Sequence, residues 1–149
     1  MRLVVQRVSE ASCQVDGQLT GQIGKGFMVL AGFGQGDDQA VVEKMAVKLS
    51  KLRVFEDGQG KMNLSLFEAG GDVLSISQFT LYADAAKGNR PSFAKALSGP
   101  DAIGLYQYFN ECLRGLGLKV EEGIFGADMK VSLVNDGPVT IILDSEDLW

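Results

Sequence analysis

The chain has 149 residues, a formal net charge of −5 and a hydrophobic content of 46%, as expected of one globular domain. It contains no histidine, which excludes Ser–His–Asp triads, Cys–His pairs and histidine-ligated zinc sites. The acidic balance disfavours indiscriminate nucleic-acid binding, although it permits a local basic patch. Cys13 and Cys112 fit no ligand spacing, and we expect no metal site.

The first half of the chain is predicted to form a hairpin, a central strand and a helix. Asp16-Gly17 is a strong turn signal between two strands, Arg2 to Val15 and Gln18 to Ile23. The continuous apolar run from Phe27 to Phe33 is typical of a central strand. A helix opens at Asp37-Asp38, because apolar residues then recur at the spacing of one helical stripe, namely at Val42, Met45, Leu49 and Leu52.

The second half is predicted to contain a strand from Asp72 to Tyr82, an irregular segment, and a helix that begins near Pro100. A short strand over Leu118 to Glu122 and two closing strands follow. Hairpins combined with two helices indicate one α/β domain over residues 1–149. We expect a mostly antiparallel sheet, curled into a partial barrel, beside the two main helices.

The chain shows no targeting or membrane-spanning signal. Only Leu3-Val4-Val5 separates Arg2 from Gln6 near the start, which is too short for the core of a signal peptide. No run approaches the ~20 apolar residues of a spanning helix. We therefore expect a cytoplasmic protein that does not associate with membranes.

Two glycine-rich segments have only part of a ligand-binding pattern. Gly32-Phe33-Gly34-Gln35-Gly36 lies between a strand and a helix, but its spacing is wrong for a dinucleotide fingerprint. Asp37-Asp38 would also place two carboxylates where a phosphate should bind. Asp57-Gly58-Gln59-Gly60 lacks the acidic positions and the terminal Glu of a calcium loop. We interpret the two segments as a connection and a turn.

Two other segments concentrate polar groups at the ends of apolar runs. Asn135-Asp136-Gly137-Pro138 separates two strand-like runs, which predicts a hairpin or a sharp reversal. Pro138 is unusual there, because it has no N–H to give to a ladder. The segment Ser77 to Tyr82 ends a strand with hydroxyl, amide and aromatic groups. These groups either fill a sheet edge or expose backbone N–H groups and a hydroxyl to a pocket, as oxyanion donors would require.

Together these segments resemble the signature motifs of the D-aminoacyl-tRNA deacylase family. The motifs are Ser77-Gln78-Phe79-Thr80-Leu81 and Asn135-Asp136-Gly137-Pro138-Val139-Thr140, and the first has the form of the D-specific branch. The resemblance implies that family's fold and a single D-aminoacyl-tRNA deacylase-like domain. It extends over essentially the whole chain, at Met1 to Ser9 with Arg7, Gly60 to Ser65, Asn89 to Phe93 and Phe125 to Met129.

The resemblance implies a homodimeric hydrolase, without a cofactor, that cleaves the ester between a D-amino acid and the 3′ end of tRNA. The Gly137–Pro138 bond is expected to be cis, and the turn of one subunit to enter the pocket of its partner. There the carbonyls of Gly137 and Pro138 would accept hydrogen bonds from the substrate's ammonium group. An L side chain would collide with this main chain, whereas D-aminoacyl-tRNA and glycyl-tRNA would pass.

The resemblance places the chemistry at Ser77, Gln78, Phe79 and Thr80. The N–H groups of Phe79 and Thr80 are expected to stabilise the tetrahedral oxyanion. Water, assisted by the terminal ribose 2′-hydroxyl of the tRNA, is the favoured nucleophile. The Thr80 hydroxyl is the alternative, although no histidine or nearby lysine is evident to activate it.

The remaining site residues have a functional and a structural interpretation. Arg7 is expected to hydrogen-bond the Gly-Pro turn, although unaided it would pass as a charge at a strand edge. Phe125 and Met129 either line the substrate pocket or pack in the core. The residues expected to contact tRNA phosphates, or else to lie in a solvated loop, are Lys87, Arg90 and Lys95.

Two competing functions remain, and the first belongs to another class of protein. A catalytically silent RNA-binding or dimeric scaffold protein would keep the fold without the reaction. A hydrolase for another small ester would keep the reaction type but change the substrate. The acidic balance and the intact turn motif disfavour the first of these.

Overall fold

The computed structural model describes all 149 residues, which form eight strands, three α-helices and one 3-10 helix. None of the helices is long and apolar enough to cross a membrane. The helices are α1 (Gln39–Ser50), α2 (Gly99–Gly115) and α3 (Ser145–Leu148), and the 3-10 helix spans Phe79–Tyr82. The strands are β1 (Arg2–Val15), β2 (Gln18–Ile23), β3 (Gly26–Gly32), β4 (Phe55–Glu56), β5 (Met62–Leu64), β6 (Asp72–Ser77), β7 (Val120–Glu122) and β8 (Lys130–Asp144).

Six strands form one sheet, and β4 and β5 form a separate small ribbon. The long strand β1 pairs antiparallel with β2, β3 and β8, whereas β6 pairs parallel with β3 and β7. The sheet is therefore mixed rather than purely antiparallel. The two parallel pairs arise because α1 lies between β3 and β6 and α2 lies between β6 and β7, and parallel neighbours need such crossovers.

The sheet curls until its ends approach each other. A Cβ atom added to Gly21 in β2 would lie 3.0 Å from both the Glu121 Cβ and the Glu122 carbonyl oxygen of β7. These strands are not hydrogen-bonded neighbours in the sheet, so the barrel is nearly closed rather than complete. The predicted fold class, a curled sheet with two main helices, is confirmed.

Local sequence signals explain where the first elements begin and end. Asp16 and Gly17 have φ angles of 50° and 74°, as a tight two-residue hairpin turn requires, and the predicted β1–β2 hairpin is confirmed. Helix α1 begins after Asp38, whose side chain accepts a 3.0 Å hydrogen bond from the Val41 N–H. The predicted apolar stripe of α1 is buried, except that Leu52 lies beyond the helix and is half-buried.

Two apolar clusters hold the fold together. The larger cluster joins the sheet to the helices and includes Phe27, Met45 and Phe109. The smaller cluster lies among strands and includes Met28 and Ile76. Because successive side chains of a strand point to opposite faces, Phe27 and Met28 serve different clusters. The sheet is thus buried on both faces along its centre, which makes the ends of β3 and β6 a rigid platform.

Candidate active site

The first motif leaves the sheet immediately after β6 ends at Ser77. The Gln78 N–H still donates a 2.8 Å hydrogen bond to the Ala31 carbonyl, and the chain then turns into the 3-10 helix. The prediction that the strand continues to Tyr82 is therefore wrong. The turn packs closely against Gly32 of β3, where there is no room for a side chain. An added Cβ there would lie 2.8 Å from the Gln78 carbonyl oxygen and 3.1 Å from the Leu81 Cβ.

The turn leaves two backbone donors free at its start. The hydrogen bonds of the 3-10 turn run from the Leu81 and Ala83 N–H groups to the carbonyls of Gln78 and Thr80, at 3.4 and 3.0 Å. The N–H groups of Phe79 and Thr80 precede these bonds and have no partner within the helix. Adjacent N–H groups of this kind can donate hydrogen bonds to a negatively charged oxygen that lies between them.

A cavity of about 180 Å³ opens beside these donors. Its lining is mostly apolar and includes Ser77, Gln78 and Phe79 from the first motif. Phe125 and Met129, from the loop between β7 and β8, line the same cavity. The structure therefore brings five of the predicted site residues together around one space.

Neighbouring residues fix the positions of Phe125 and Met129. The ring centroid of Phe125 lies 5.9 Å from that of Tyr106 in α2, whose hydroxyl donates a 2.7 Å hydrogen bond to the Ser75 carbonyl. Burial raises the pKa of Tyr106, so this hydroxyl keeps its proton and remains a donor. A Cβ on Gly123 would lie 2.5 Å from the Met129 sulfur, so glycine makes room for that side chain.

An exposed aromatic pair lies beside the cavity. Phe79 is 53% exposed, and its ring meets that of Phe93 edge to face with 4.9 Å between the centroids. Phe93 was not singled out from the sequence. The sequence does show that Phe93 is the one aromatic residue of the segment Asn89 to Phe93. A single exposed aromatic ring is ordinary on protein surfaces, so this observation alone does not predict a site residue.

Thr80 lies just outside the cavity lining. Its side chain is exposed, and its hydroxyl oxygen accepts a hydrogen bond from the Gln78 amide nitrogen. No carboxylate or lysine amine hydrogen-bonds this hydroxyl in the structure. The geometry therefore offers the Thr80 side chain no general base.

The second motif does not reverse the chain. Strand β8 pairs with β1 on both sides of the motif, with Asn135 opposite Val8 and Thr140 opposite Gln6. The four residues 136–139 therefore lie opposite the single residue Arg7, and we term them the Gly-Pro excursion. The predicted hairpin is wrong, because turn-forming residues here bulge out of a strand that resumes its original direction.

Hydrogen bonds within β8 close the base of the Gly-Pro excursion. The Asn135 side-chain oxygen accepts a 3.0 Å hydrogen bond from the Val139 N–H, and its amide donates to the Thr140 hydroxyl at 3.1 Å. The Gly137–Pro138 peptide bond is cis, and Gly137 has a φ of 133°. A Cβ on Gly137 would lie 2.9 Å from the Val139 Cγ2 and 3.0 Å from the Arg7 Nη2. The excursion thus fits a residue without a side chain at this position.

Arg7 is the buried support of the Gly-Pro excursion. It is 8% exposed and forms no ion pair with a carboxylate. Its Nε donates to the Asp136 carbonyl at 3.0 Å, and its Nη1 donates to the Val54 carbonyl at 2.7 Å. A planar guanidinium suits two such acceptors, because its donors point in fixed directions.

The predicted site is divided between two places in one chain. Neither Gly137 nor Pro138 lines the cavity that contains Ser77 and Phe79. The Gly-Pro excursion instead adjoins Lys25 and Phe55, which share a shallow pocket with Arg7 and Asp136. One chain therefore presents backbone donors beside the cavity and exposes the excursion elsewhere.

The predicted basic residues lie on the segment that borders the cavity. The segment is closed by paired backbone hydrogen bonds of 2.8 Å between Asp84 and Ser92. Lys87 and Arg90 are exposed without a carboxylate partner, whereas the Lys95 amine lies 3.4 Å from an Asp84 oxygen. Hydrogen bonding from the Ala86 N–H and the charge of Lys95 lower the pKa of Asp84. No group of three or more Cys, Asp or Glu side chains is placed to hold a metal ion.

Comparisons with known proteins agree with the two motifs. The family model described as "D-Tyr-tRNA(Tyr) deacylase" matches residues 4–144. The "D-aminoacyl-tRNA deacylase" of Thermomicrobium roseum is 56% identical, over 99% of this chain and 96% of that protein. The protein of the same name from Lactobacillus acidophilus is 54% identical, over 97% of this chain and 99% of that protein.

Two solved structures have the same architecture. The "c-Myc DNA Unwinding Element Binding Protein" is 43% identical with a TM-score of 0.91, covering 97% of this chain and 98% of that one. A "probable eukaryotic D-amino acid tRNA deacylase" is 18% identical with a TM-score of 0.81, covering 95% and 97%, and shows the shared fold alone. The expectation of a deacylase, drawn from the sequence motifs, is confirmed. The chain belongs to the D-Tyr-tRNA(Tyr) deacylase family of hydrolases.

Proposed function

We propose that this chain hydrolyses the ester bond of D-aminoacyl-tRNA and releases free D-amino acid and tRNA, as quality control of translation in the cytoplasm. Family membership supports the substrate class. The observation that carries the chemistry is the pair of unpartnered N–H groups of Phe79 and Thr80 beside an apolar cavity. The ester carbonyl would lie against this pair, with the amino acid in the cavity.

The active site is proposed to be shared between two copies of the chain. In one copy the Gly-Pro excursion lies away from the cavity, so a second copy would have to supply it. Strand β8 supports this arrangement, because its outer edge pairs with no other strand and it exposes Ile142 and Val134. Unpaired edges and exposed apolar side chains are typical of surfaces that a partner covers.

Stereochemical discrimination is proposed to come from the main chain of the Gly-Pro excursion. The carbonyls of Gly137 and Pro138 would accept hydrogen bonds from the substrate ammonium, and each bond to a charged group contributes about 1.5–3 kcal/mol. With the ammonium and the ester both fixed, an L side chain would be directed into the backbone of the excursion. A D side chain would point away, and glycyl-tRNA would also be accepted because glycine has no side chain.

The hydrolytic step is proposed to use water rather than an enzyme nucleophile. The N–H groups of Phe79 and Thr80 would stabilise the oxyanion that forms when water attacks the ester carbonyl. The ribose 2′-hydroxyl of the tRNA would assist the attacking water, because this chain has no histidine. The Thr80 hydroxyl accepts a hydrogen bond from the Gln78 amide, and no basic group is within reach to activate it.

The tRNA end is proposed to lie over the aromatic pair Phe79–Phe93. Exposed aromatic rings stack on nucleobases without a strict base preference, which suits a 3′ end shared by all tRNAs. Lys87 and Arg90 lie on the same segment as Phe93 and are free to contact phosphates. Lys95 is already engaged with Asp84, so we expect it to contribute less.

Deacylation of paired D- and L-tyrosyl-tRNA by the purified protein tests this proposal. We expect release of tyrosine from the D-substrate and little or none from the L-substrate, and slow release of glycine from glycyl-tRNA. Equal rates on the D- and L-substrates would contradict the proposed filter. Tight tRNA binding without release of either amino acid would instead support the silent nucleic-acid-binding alternative.

A further inference from the structure

One side of helix α1 carries a cluster of positive charges that the proposed site does not use. Lys44, Lys48 and Lys51 recur at i, i+4 and i+7, the spacing of a single helical face, and Arg53 follows them. All four side chains are exposed. We term these four residues the α1 basic face.

Most of the charge of the α1 basic face has no carboxylate partner. The pKa of Glu68 is lowered by hydrogen bonds from Ser65 and, of the four basic residues, by the charge of Arg53 alone. None of its four side chains forms an ion pair with a carboxylate, although the chain has a net charge of −5. Like charges at this helical spacing repel each other and destabilise a helix. Lys48 in the last turn and Lys51 at the C-cap oppose the negative end of the helix dipole, but that does not require a third lysine and an arginine on the same side, and the cluster as a whole has the charge that would bind a polyanion.

The α1 basic face borders a groove rather than a flat surface. A groove of about 290 Å³ is lined by the four basic residues together with apolar side chains, among them Trp149. The Trp149 ring is 56% exposed, and the Lys44 amine lies 5.5 Å from its centroid. Such a cation–π contact holds the ammonium over the ring while leaving its outer side open.

The α1 basic face ends next to the Gly-Pro excursion. Arg53 is held by a 3.0 Å hydrogen bond from its Nε to the Asn63 carbonyl, and the next residue is Val54. The Val54 carbonyl accepts from Arg7, which also donates to the Asp136 carbonyl within the excursion. The two hydrogen bonds of the Arg7 side chain therefore connect Val54, the residue after the basic face, to the Gly-Pro excursion, which is proposed to bind the substrate.

We propose that the α1 basic face binds the phosphate backbone of the tRNA that is being deacylated. This inference rests on the proposed function, because it takes the Gly-Pro excursion as the point where the aminoacyl end is bound. A polyanion leaving the excursion would pass over Arg53, Lys51 and Lys48 in turn. In the proposed shared site, the α1 basic face belongs to the copy that supplies the excursion, and the basic segment Lys87 to Lys95 to the copy that supplies the cavity, so the two basic regions would contact different parts of the same RNA.

The direct test is binding of uncharged tRNA-Tyr by two double variants. Lys48→Gln/Lys51→Gln removes two charges from the α1 basic face, and Lys61→Gln/Lys119→Gln removes two exposed lysines outside that face and outside β8 as a matched control. We expect the first variant to raise the Kd at 0.1 M salt at least tenfold and the control to raise it less than threefold. Each lost phosphate contact should lower the slope of log K against log salt by ~0.7–0.9.

Because uncharged tRNA is used, this measurement does not depend on catalysis. An inactive wild-type protein would defeat the proposed function, while the Kd would still report on the α1 basic face. Equal Kd values for the two double variants would overturn the inference. A Lys48→Gln/Lys51→Gln variant that loses binding to phosphatidylglycerol vesicles but keeps tRNA binding would also overturn it, and would assign the face to anionic lipid.

A second measurement separates RNA binding from the chemistry. We expect the ratio of kcat/KM for D-tyrosyl-tRNA to kcat/KM for D-tyrosyl-adenosine to fall at least tenfold in Lys48→Gln/Lys51→Gln. The minimal substrate has no phosphate backbone to contact, so only the full-length substrate would be affected. An unchanged ratio would contradict the inference even if the variant were less active on both substrates.

Discussion

The cavity and the Gly-Pro excursion differ in the backbone groups that they expose: the cavity is bordered by donors, and the excursion presents acceptors. Beside the cavity, the N–H groups of Phe79 and Thr80 are free donors. In the excursion, Pro138 has no N–H, and the carbonyls of the exposed residues Gly137 and Pro138 are the groups that we propose to bind the substrate. An ester with a neighbouring ammonium group needs both an oxyanion donor and ammonium acceptors. Under the proposed mechanism, neither region would therefore suffice for this substrate alone.

The two regions are also supported in different ways. The turn at the cavity depends on a glycine in β3, because the backbone of Gln78 packs where a Cβ on Gly32 would lie. The Gly-Pro excursion depends on a buried charge, because Arg7 donates to a carbonyl inside it. The donor region should therefore fail when a methyl group is added at Gly32, and the acceptor region when the Arg7 side chain is removed.

The largest effect is expected from Gly32→Ala. The new methyl group would lie 2.8 Å from the Gln78 carbonyl oxygen, a backbone atom that cannot move without shifting the Phe79 and Thr80 N–H groups. Loss of an oxyanion donor typically costs ~10²–10³ in rate, and we expect kcat on D-tyrosyl-tRNA to fall by that amount. Overpacking should also destabilise the fold by ~1–3 kcal/mol, measurable by urea unfolding.

Gly104→Ala is the matched control for this substitution. Gly104 lies in α2, and an added Cβ there meets no atom within 4 Å. Alanine is the better helix former by ~1 kcal/mol, so the control should be fully active and slightly more stable. Full activity of Gly32→Ala would show that the turn after β6 does not position the donors.

A smaller effect on rate, and a larger one on selectivity, is expected from Arg7→Ala. The change leaves the carbonyls of Asp136 and Val54 without their donor, and hydrogen bonds to a charged group contribute ~1.5–3 kcal/mol each. We expect D-tyrosyl-tRNA turnover to fall about 10- to 100-fold, because the loosened excursion no longer presents its carbonyls. The ratio of D- to L-substrate kcat/KM is the quantity to measure.

Arg7→Lys sharpens the same comparison. Lysine keeps the charge but has a single ammonium in place of the planar fork that reaches both carbonyls. We expect partial recovery of activity relative to Arg7→Ala, with circular dichroism confirming that both variants are folded. Wild-type selectivity in Arg7→Ala would mean that the excursion does not need this support.

The sequence predicted the elements better than the path between them. Alternation and turn signals located β1, β2, α1 and the shared α/β architecture, because these depend on residues close together in the chain. The predicted end of β6, at Tyr82, is wrong because alternation over the six residues 77–82 is too short to exclude a turn. The turn also needs the space that Gly32 leaves for the Gln78 carbonyl and Leu81, and Gly32 is distant in sequence and carries no local signal of this role.

The Gly-Pro excursion shows the same limit at the second motif. Asn135, Gly137 and Pro138 correctly predicted a break in regular pairing, but a hairpin and an excursion contain the same turn-forming residues. The difference is decided by β1, which pairs with β8 on both sides of the break. Phe125 and Met129, which the sequence predicted as site residues, do line the cavity. Phe93 could be identified only from the structure, because its contact with Phe79 joins residues that are distant in sequence.

A still smaller effect is expected from Thr80→Ala, which keeps the backbone donor and removes only the hydroxyl. Because that hydroxyl has no base and accepts from the Gln78 amide, we expect kcat to fall less than about tenfold, within the range of one lost neutral hydrogen bond. Single-turnover kinetics on D-tyrosyl-tRNA measures this. An acyl group trapped on Thr80 of the wild-type protein, detected by mass spectrometry, would restore the nucleophile alternative.

The smallest effect is expected at Arg2, which connects the end of β8, the strand that contains the excursion, to the 3-10 helix beside the cavity. Arg2 Nε lies 2.5 Å from an Asp144 oxygen at the end of β8, and Arg2 Nη1 donates at 2.9 Å to the Leu81 carbonyl of the 3-10 helix. Burial alone would raise the pKa of Asp144. The Arg2 hydrogen bond and charge, with the Glu146 N–H, hold the pKa below its ordinary value.

Asp144→Asn should therefore destabilise the fold in a pH-dependent way. A carboxylate whose pKa is lowered by folding adds stability above its unfolded pKa of about 3.9, and this contribution is lost as the pH falls through the folded value. For a partly exposed pair we expect a difference of about 1 kcal/mol between wild type and Asp144→Asn at pH 7. Urea unfolding should show that difference shrinking below pH 4, while the D/L selectivity at pH 7 stays as in wild type. A difference independent of pH would show that the Asp144 side chain stabilises the β8 end through packing rather than charge.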